Sequence, residues 1–289
     1  MKWAARLIPI AIFGLITCVA ASGVERAREL YSQSDFRGAL EVLQGLSQSD
    51  GAVAFLSGQC YYRLGDAKAA ADALEKAGAV NRTDAQYVLW LGRAYGRRAE
   101  QSSIFVAPRF ATKARQNFES AVQLDPHNIE AIGDLFEYYL DAPGILGGGT
   151  EKASALAERV RSLDEAEYHF DQARLAENRR QPRLAELHYR QAAELAPADP
   201  GRLIDLAEFL DAQGRRTESD GIFERATHVA PHAVTVWFAQ AKAWVRSHRN
   251  LDSARTLLKR YLSSRLTPDD PPRDEAERLL VQLDGRQCR

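Results

Sequence analysis

The chain has 289 residues, 27% of them charged and 45% hydrophobic, and a formal net charge of −1. That balance lacks the basic excess needed to grip a phosphate backbone, so nucleic-acid binding is not expected. Three cysteines without a C-x-x-C pair exclude a disulfide scaffold, a zinc ribbon and a thioredoxin-like redox site.

In chain order, Lys2 and Arg6 precede an uncharged stretch from Leu7 to Val24 that ends in small residues. This is the layout of a secretory signal peptide over residues 1–22. Its strongly apolar part, Leu7 to Ile16, falls well short of the roughly 20 residues that cross a bilayer as a helix. Cleavage after Ala20 or Ala21 is one outcome. Leu15-Ile16-Thr17-Cys18 offers another, a lipoprotein signal with Cys18 lipidated, although Thr17 departs from the small residue usual there. An uncleaved anchor is the third.

From Gly23 onward the chain repeats itself. The segments Ala70 to Ala77, Ala114 to Ala121, Ala185 to Ala192 and Ser219 to Ala226 each place a small, a large and a small residue at i, i+4 and i+7, which is one face of a helix. Pro126, Pro197 and Pro231 follow three of these segments at the same distance, and Pro197 and Pro231 lie 34 residues apart. A partner helix precedes each segment, marked by a small residue and an aromatic three positions later: Gly58 and Tyr61, Gly92 and Tyr95, Ala241 and Trp244. Gly65, Gly214 and, less cleanly, Ser34 to Phe36 supply the turn between partners.

Val88-Leu89-Trp90-Leu91-Gly92-Arg93-Ala94-Tyr95, continued by Ala114, Phe118, Ala121 and Pro126, resembles the tetratricopeptide repeat, whose pattern is W-x-x-L-G-x-x-Y…A-x-x-x-F…P. The resemblance implies an all-α fold, a right-handed superhelix of about seven helix pairs. The units fall at about 23–50, 51–84, 85–128, 129–165, 166–199, 200–233 and 234–267. Residues 268–289 hold a closing helix and tail, with Ala276, Leu279, Leu280 and Leu283 on one face and Asp274 as its expected N-cap. One 34-residue pair buries too little apolar surface to offset an ordering cost of about 1–2 kcal/mol per residue, so neighbours must supply the missing core.

Two interruptions stand out, residues 100–108 and 141–150. The second resembles an Ala-Pro-Gly…Gly-Gly-Gly insertion of other bacterial tetratricopeptide proteins, and with the signal it implies export to the periplasm or cell envelope of a bacterium. Its glycines do not make a phosphate loop, because Thr150 stands where lysine is required. Two readings stay open there: free backbone N–H groups offered to an anion, or a bend needing positive φ.

Enzyme chemistry finds no support. None of the six histidines forms H-E-x-x-H, no G-x-S-x-G elbow appears, and Cys60 reads as a packing thiol. No catalytic residue, metal ligand or cofactor is expected.

In the family the first helix of each unit lines the concave surface, so the resemblance implies a groove. Its residues are Tyr62, Arg93 and Arg97; then Glu130, Asp134, Glu137 and Asp141; Glu167, Phe170, Asp171, Arg174 and Glu177; Asp205, Glu208 and Asp211; and finally Lys242 and Arg246. The fourth to sixth units present ten acids against one base. A negative centre with basic flanks fits a basic or amphipathic segment of a protein or peptide partner. A merely solvated helix face is the other reading. Lys/Asn carboxylate-clamp residues are missing, since Phe55 and Gln59, or Leu89 and Arg93, hold the comparable places. The expected function is a non-catalytic scaffold in the envelope, or alternatively a lipid-anchored assembly or substrate-delivery subunit of an enzyme complex. The membrane is involved only through Cys18 or an uncleaved signal.

Overall fold

The structure is a computed structural model that describes residues 23–47 and 49–287. The expected signal, including Cys18, lies outside the described residues. Among those described are fifteen α-helices, a 3₁₀ turn and no strand. The chain forms two compact units that divide after Ala114.

The first unit holds α1 (23–32), α2 (Phe36–Gln44), α3 (Gly51–Arg63), α4 (Ala67–Val80), α5 (Ala85–Glu100) and the beginning of α6 (Ala107–Leu124). The second holds the rest of α6, α7 (Ile129–Asp141), the 3₁₀ turn Gly144–Leu146, α8 (Thr150–Val160), α9 (Glu165–Asn178) and α10 (Pro182–Leu195). It continues with α11 (Pro200–Ala212), α12 (Arg216–Val229), α13 (Val234–Arg246), α14 (Leu251–Ser263) and α15 (Arg273–Gln287). Helices consecutive in the chain pack on one another, as in α3 on α4, α9 on α10 and α11 on α12.

The helix starts follow from sequence. Asp35, Asp50, Asp66, Asp84, Asn128, Asp164 and Asp199 each turn a side-chain oxygen onto a backbone N–H of the first turn. Each such cap is worth about 1 kcal/mol. The short turns share one closing device. Ser34, Gly65, Arg180, Gly214 and His248 all have φ between 54° and 80°. The next residue donates its N–H back to a carbonyl five residues earlier, for example Asp66 to Tyr61 and Arg215 to Leu210. This is the Schellman arrangement, which satisfies carbonyls the helix leaves open. Gly65 and Gly214 adopt it without strain, whereas Ser34, Arg180 and His248 hold it despite a side chain.

Close approach explains the small residues. Gly58 of α3 lies against Leu74 of α4, and a Cβ there would stand 2.5 Å from Leu74 Cγ. Ala70, Ala77, Ala114, Ala185 and Ala226 are fully buried, and so are the large side chains Leu74 and Phe223; in the second unit Ala185, Tyr189, Phe223 and Ala226 belong to one core cluster. At the end of the chain α15 covers the apolar edge left by α13 and α14: Ala276 and Leu283 pack with Phe238, Leu258 and Tyr261. The helix begins at Arg273, two residues earlier than a cap at Asp274 requires, so Asp274 sits in its first turn.

The glycine insertion is a fixed turn. Gly147 and Gly149 have φ of 88° and 150°, and a Cβ on Gly148 would lie 1.9 Å from the Ala142 carbonyl oxygen. Gly147 donates its N–H to Gly144 O, Gly148 to Pro143 O and Gly149 to Tyr139 O. These three N–H groups are taken up by the chain, which removes the anion reading and leaves the positive-φ bend.

Candidate partner-binding face

In the first unit the structure brings Tyr62, Arg93 and Arg97 together around Trp90. Tyr62 meets the Trp90 ring edge-on at 5.6 Å, the Arg93 guanidinium lies 5.1 Å from its centroid, and Arg97 lies 5.5 Å from the centroid of Tyr62. Arg63 approaches Trp90 at 5.5 Å. Phe55 extends the cluster, stacked on Tyr87 at 4.6 Å. Cations over aromatic faces gain about 0.5–1 kcal/mol at exposed sites. Phe55, Arg63 and Tyr87 belong to this cluster by geometry, and the helix register did not assign them to the face.

In the second unit the odd-numbered helices α7, α9, α11 and α13 share a face joined by ion pairs. Arg174 of α9 forks onto Glu137 of α7 at 3.2 and 2.7 Å. Arg202 of α11 bonds Glu167 of α9 and reaches Asp205 at 3.3 Å. Arg246 of α13 bonds Asp211 of α11 at 3.0 Å, and Lys242 bonds Glu275 of α15 at 2.8 Å. Partners are 37, 35, 35 and 33 residues apart, about one repeat. Asp211 is also held by Arg249 at 3.2 Å.

The sequence-derived count of one base against ten acids left out Arg202, which packs its guanidinium 4.6 Å from the Phe170 ring. The basic flanks are not free charges either, since Lys242 and Arg246 are both engaged. Glu177 accepts from Tyr189 Oη at 2.6 Å. Glu130 and Asp141 are exposed on α7 and Asp134 is half-buried.

Acids still exceed bases on this face, and burial raises the proton affinity of four of them. Burial pushes the Asp171 carboxyl up to about 8; Glu167 and Glu137 push the same way, against Arg202 and Arg174. Burial raises Asp205 to about 7, opposed by Arg202. It also raises Glu167 in spite of Arg202, and Glu208 in spite of Lys242 and Arg246. Desolvation wins over the paired charges in all four cases.

One pair lay beyond sequence reasoning. His169 of α9 and His188 of α10 meet Nδ1 to Nδ1 at 2.9 Å. Burial lowers both imidazoles, and His169 adds to the effect on His188. Among the described residues no group of three or more His, Cys, Asp or Glu is arranged to hold a metal ion. No described helix is long and apolar enough to cross a membrane.

The tetratricopeptide repeat family pattern matches residues 24–82 and 204–271. The chain carries tetratricopeptide repeats over those residues. Its fold is similar to that of a tetratricopeptide repeat protein from Parabacteroides merdae, at 14% identity over 92% of this chain and 98% of that one, with a TM-score of 0.59. It is also similar to a thermophilic tetratricopeptide protein of Thermus thermophilus, at 18% identity, 66% and 98% coverage and a TM-score of 0.54. The human IFIT1 dimer with PPP-AAAA is similar at 19% identity, covering 77% of this chain and 59% of that one, with a TM-score of 0.52. No curated protein matches the tetratricopeptide chain in sequence.

Proposed function

We propose that this tetratricopeptide protein is a non-catalytic scaffold of the bacterial cell envelope, and that it holds a protein or peptide partner against the face of α7, α9, α11 and α13. The tetratricopeptide fold is that of a protein-interaction scaffold, which sets the class of work. The observation that carries the finer reading is the acid excess on this face, where four carboxyls are raised by burial even with arginines beside them. A basic or amphipathic segment supplies the missing positive charge and apolar contact. Export rests on the amino-terminal signal pattern.

Affinity capture from an envelope extract, with the captured proteins identified and the salt varied, tests the reading. The variant Glu130→Lys/Asp141→Lys/Glu208→Lys reverses charge at exposed and half-buried positions of the face. It is expected to lose the same partner that high salt releases. Unchanged capture by that variant removes this face as the binding surface. Tethering through Cys18, as a subunit that delivers substrates or aids assembly, rests on the Leu15-Ile16-Thr17-Cys18 pattern and is checked by mass spectrometry for acylation.

A further inference from the structure

One carboxyl on the acidic face is not served by the ladder. Asp171 is 1% exposed, and its Oδ2 has no hydrogen-bond partner. The charged groups that act on it come from three helices: Glu137 on α7, Glu167 and Arg174 on α9, and Arg202 on α11. Both guanidiniums are already engaged. Arg174 forks onto Glu137, and Arg202 divides its N–H groups between Glu167 and Asp205. Four carboxyls, those of Glu137, Glu167, Asp171 and Asp205, thus share two cations.

A buried carboxyl ionises only at high cost unless a cation meets it, and without one it stays protonated. The charge pattern identifies what is missing: one more cation. It is not a metal ion, because no three acidic, histidine or cysteine groups among the described residues are arranged to hold one. A lysine ammonium suits the place. It is compact, offers three donors in any direction and sits on a thin apolar stem, whereas a second planar guanidinium would have to lie beside two already present. The Arg174–Glu137 pair is about a third exposed, whereas Arg202 and Glu167 are largely buried, so the way in lies past Arg174, whose long side chain swings aside at the lower cost.

We infer that Asp171, with Glu137 and Glu167 acting on it, is the receiving point for the ammonium group of one lysine side chain of the bound partner. This rests on the reading of the face as a partner-binding surface. While empty, the buried carboxyl keeps its proton. Arrival of the ammonium turns COOH into COO⁻ paired with NH₃⁺, and one proton passes to the buffer.

Calorimetric titration of the full chain at neutral pH with tetralysine, in buffers of different ionisation enthalpy, reads both affinity and proton release. Tetralysine is expected to bind with release of a proton, and its fully Nε-acetylated form is expected not to bind. Asp171→Asn, which keeps the shape and removes the ionisable group, is expected to weaken binding at least tenfold and to abolish the release. Circular dichroism confirms that the variant is folded.

If Asp171→Asn binds tetralysine as the parent does while Glu130→Lys/Asp141→Lys/Glu208→Lys binds it poorly, the Asp171 site is overturned and the wider face stands. If the parent ignores tetralysine, the lysine site is overturned, and the face is judged by its charge-reversal variant in partner capture alone. Equal binding of the acetylated peptide overturns the role of the ammonium.

Discussion

A methyl group added at Gly58 tests the packing of α3 on α4. In a helix interior alanine is favoured over glycine by roughly 0.5–1 kcal/mol. Opposing this, the new Cβ would lie 2.5 Å from Leu74 Cγ and 2.9 Å from Cδ2. Leu74 is fully buried, and the nearest atom is its branch point, so rotation of the side chain's far end cannot relieve the contact. Overpacking of this kind costs about 1–3 kcal/mol.

The clash outweighs the helix gain, and Gly58→Ala is expected to destabilise the protein by about 1 kcal/mol. Gly133, inside α7, has nothing within 4 Å of its added Cβ, so Gly133→Ala is expected to stabilise by about 0.5–1 kcal/mol. Urea unfolding followed by far-UV circular dichroism measures both. The reasoning also fixes a sign reversal. Leu74→Ala alone is expected to cost about 2–5 kcal/mol, and in that background Gly58→Ala becomes favourable because the opposing branch is gone. If Gly58→Ala matches or exceeds the parent in stability, the close approach of the two helices is refuted.

Two further outcomes follow from burial. The Cys60 thiol is buried and pushed up to about 12 by desolvation, so with Cys18 and Cys288 replaced by serine, the folded chain should resist an aromatic disulfide reagent and react once unfolded in urea. Asp171 has its carboxyl raised to about 8, so its stabilising contribution is complete below the ordinary carboxyl range, near about 4, and disappears as pH rises through about 8. Asp171→Asn should therefore raise the urea midpoint relative to the parent at pH 8 and lose that advantage near pH 4. A constant difference across the range would contradict the buried, proton-holding carboxyl.

The helical frame was legible because small and large residues recur at one spacing. Ala70, Leu74 and Ala77, and their counterparts around Tyr189 and Phe223, all lie in the core. The turns at Gly65 and Gly214 were legible because glycine advertises positive φ. Arg180 and His248 occupy the same turn position, but a charged or aromatic residue carries no such signal, and only its place one repeat away from a glycine could have suggested it.

Charge was the harder part. A row of acids on a helix looks the same in sequence whether water or an arginine 35 residues downstream satisfies it. Arg202 was missed for that reason, and the burial of Asp171 could not be read from its neighbours in the chain. Gly148 hides similarly, because nothing local marks its contact with the Ala142 carbonyl.

The rungs that join successive odd-numbered helices are set at different heights. Glu137 meets Arg174 in mid-helix, Glu167 meets Arg202 near the helix starts, and Asp211 meets Arg246 near the helix ends. Each joint is cut like a different key. A module excised or transposed by recombination would present its teeth to the wrong lock, so these modules, alike in backbone, are not interchangeable parts, and their order along the chain is written in electrostatics as well as in covalent sequence.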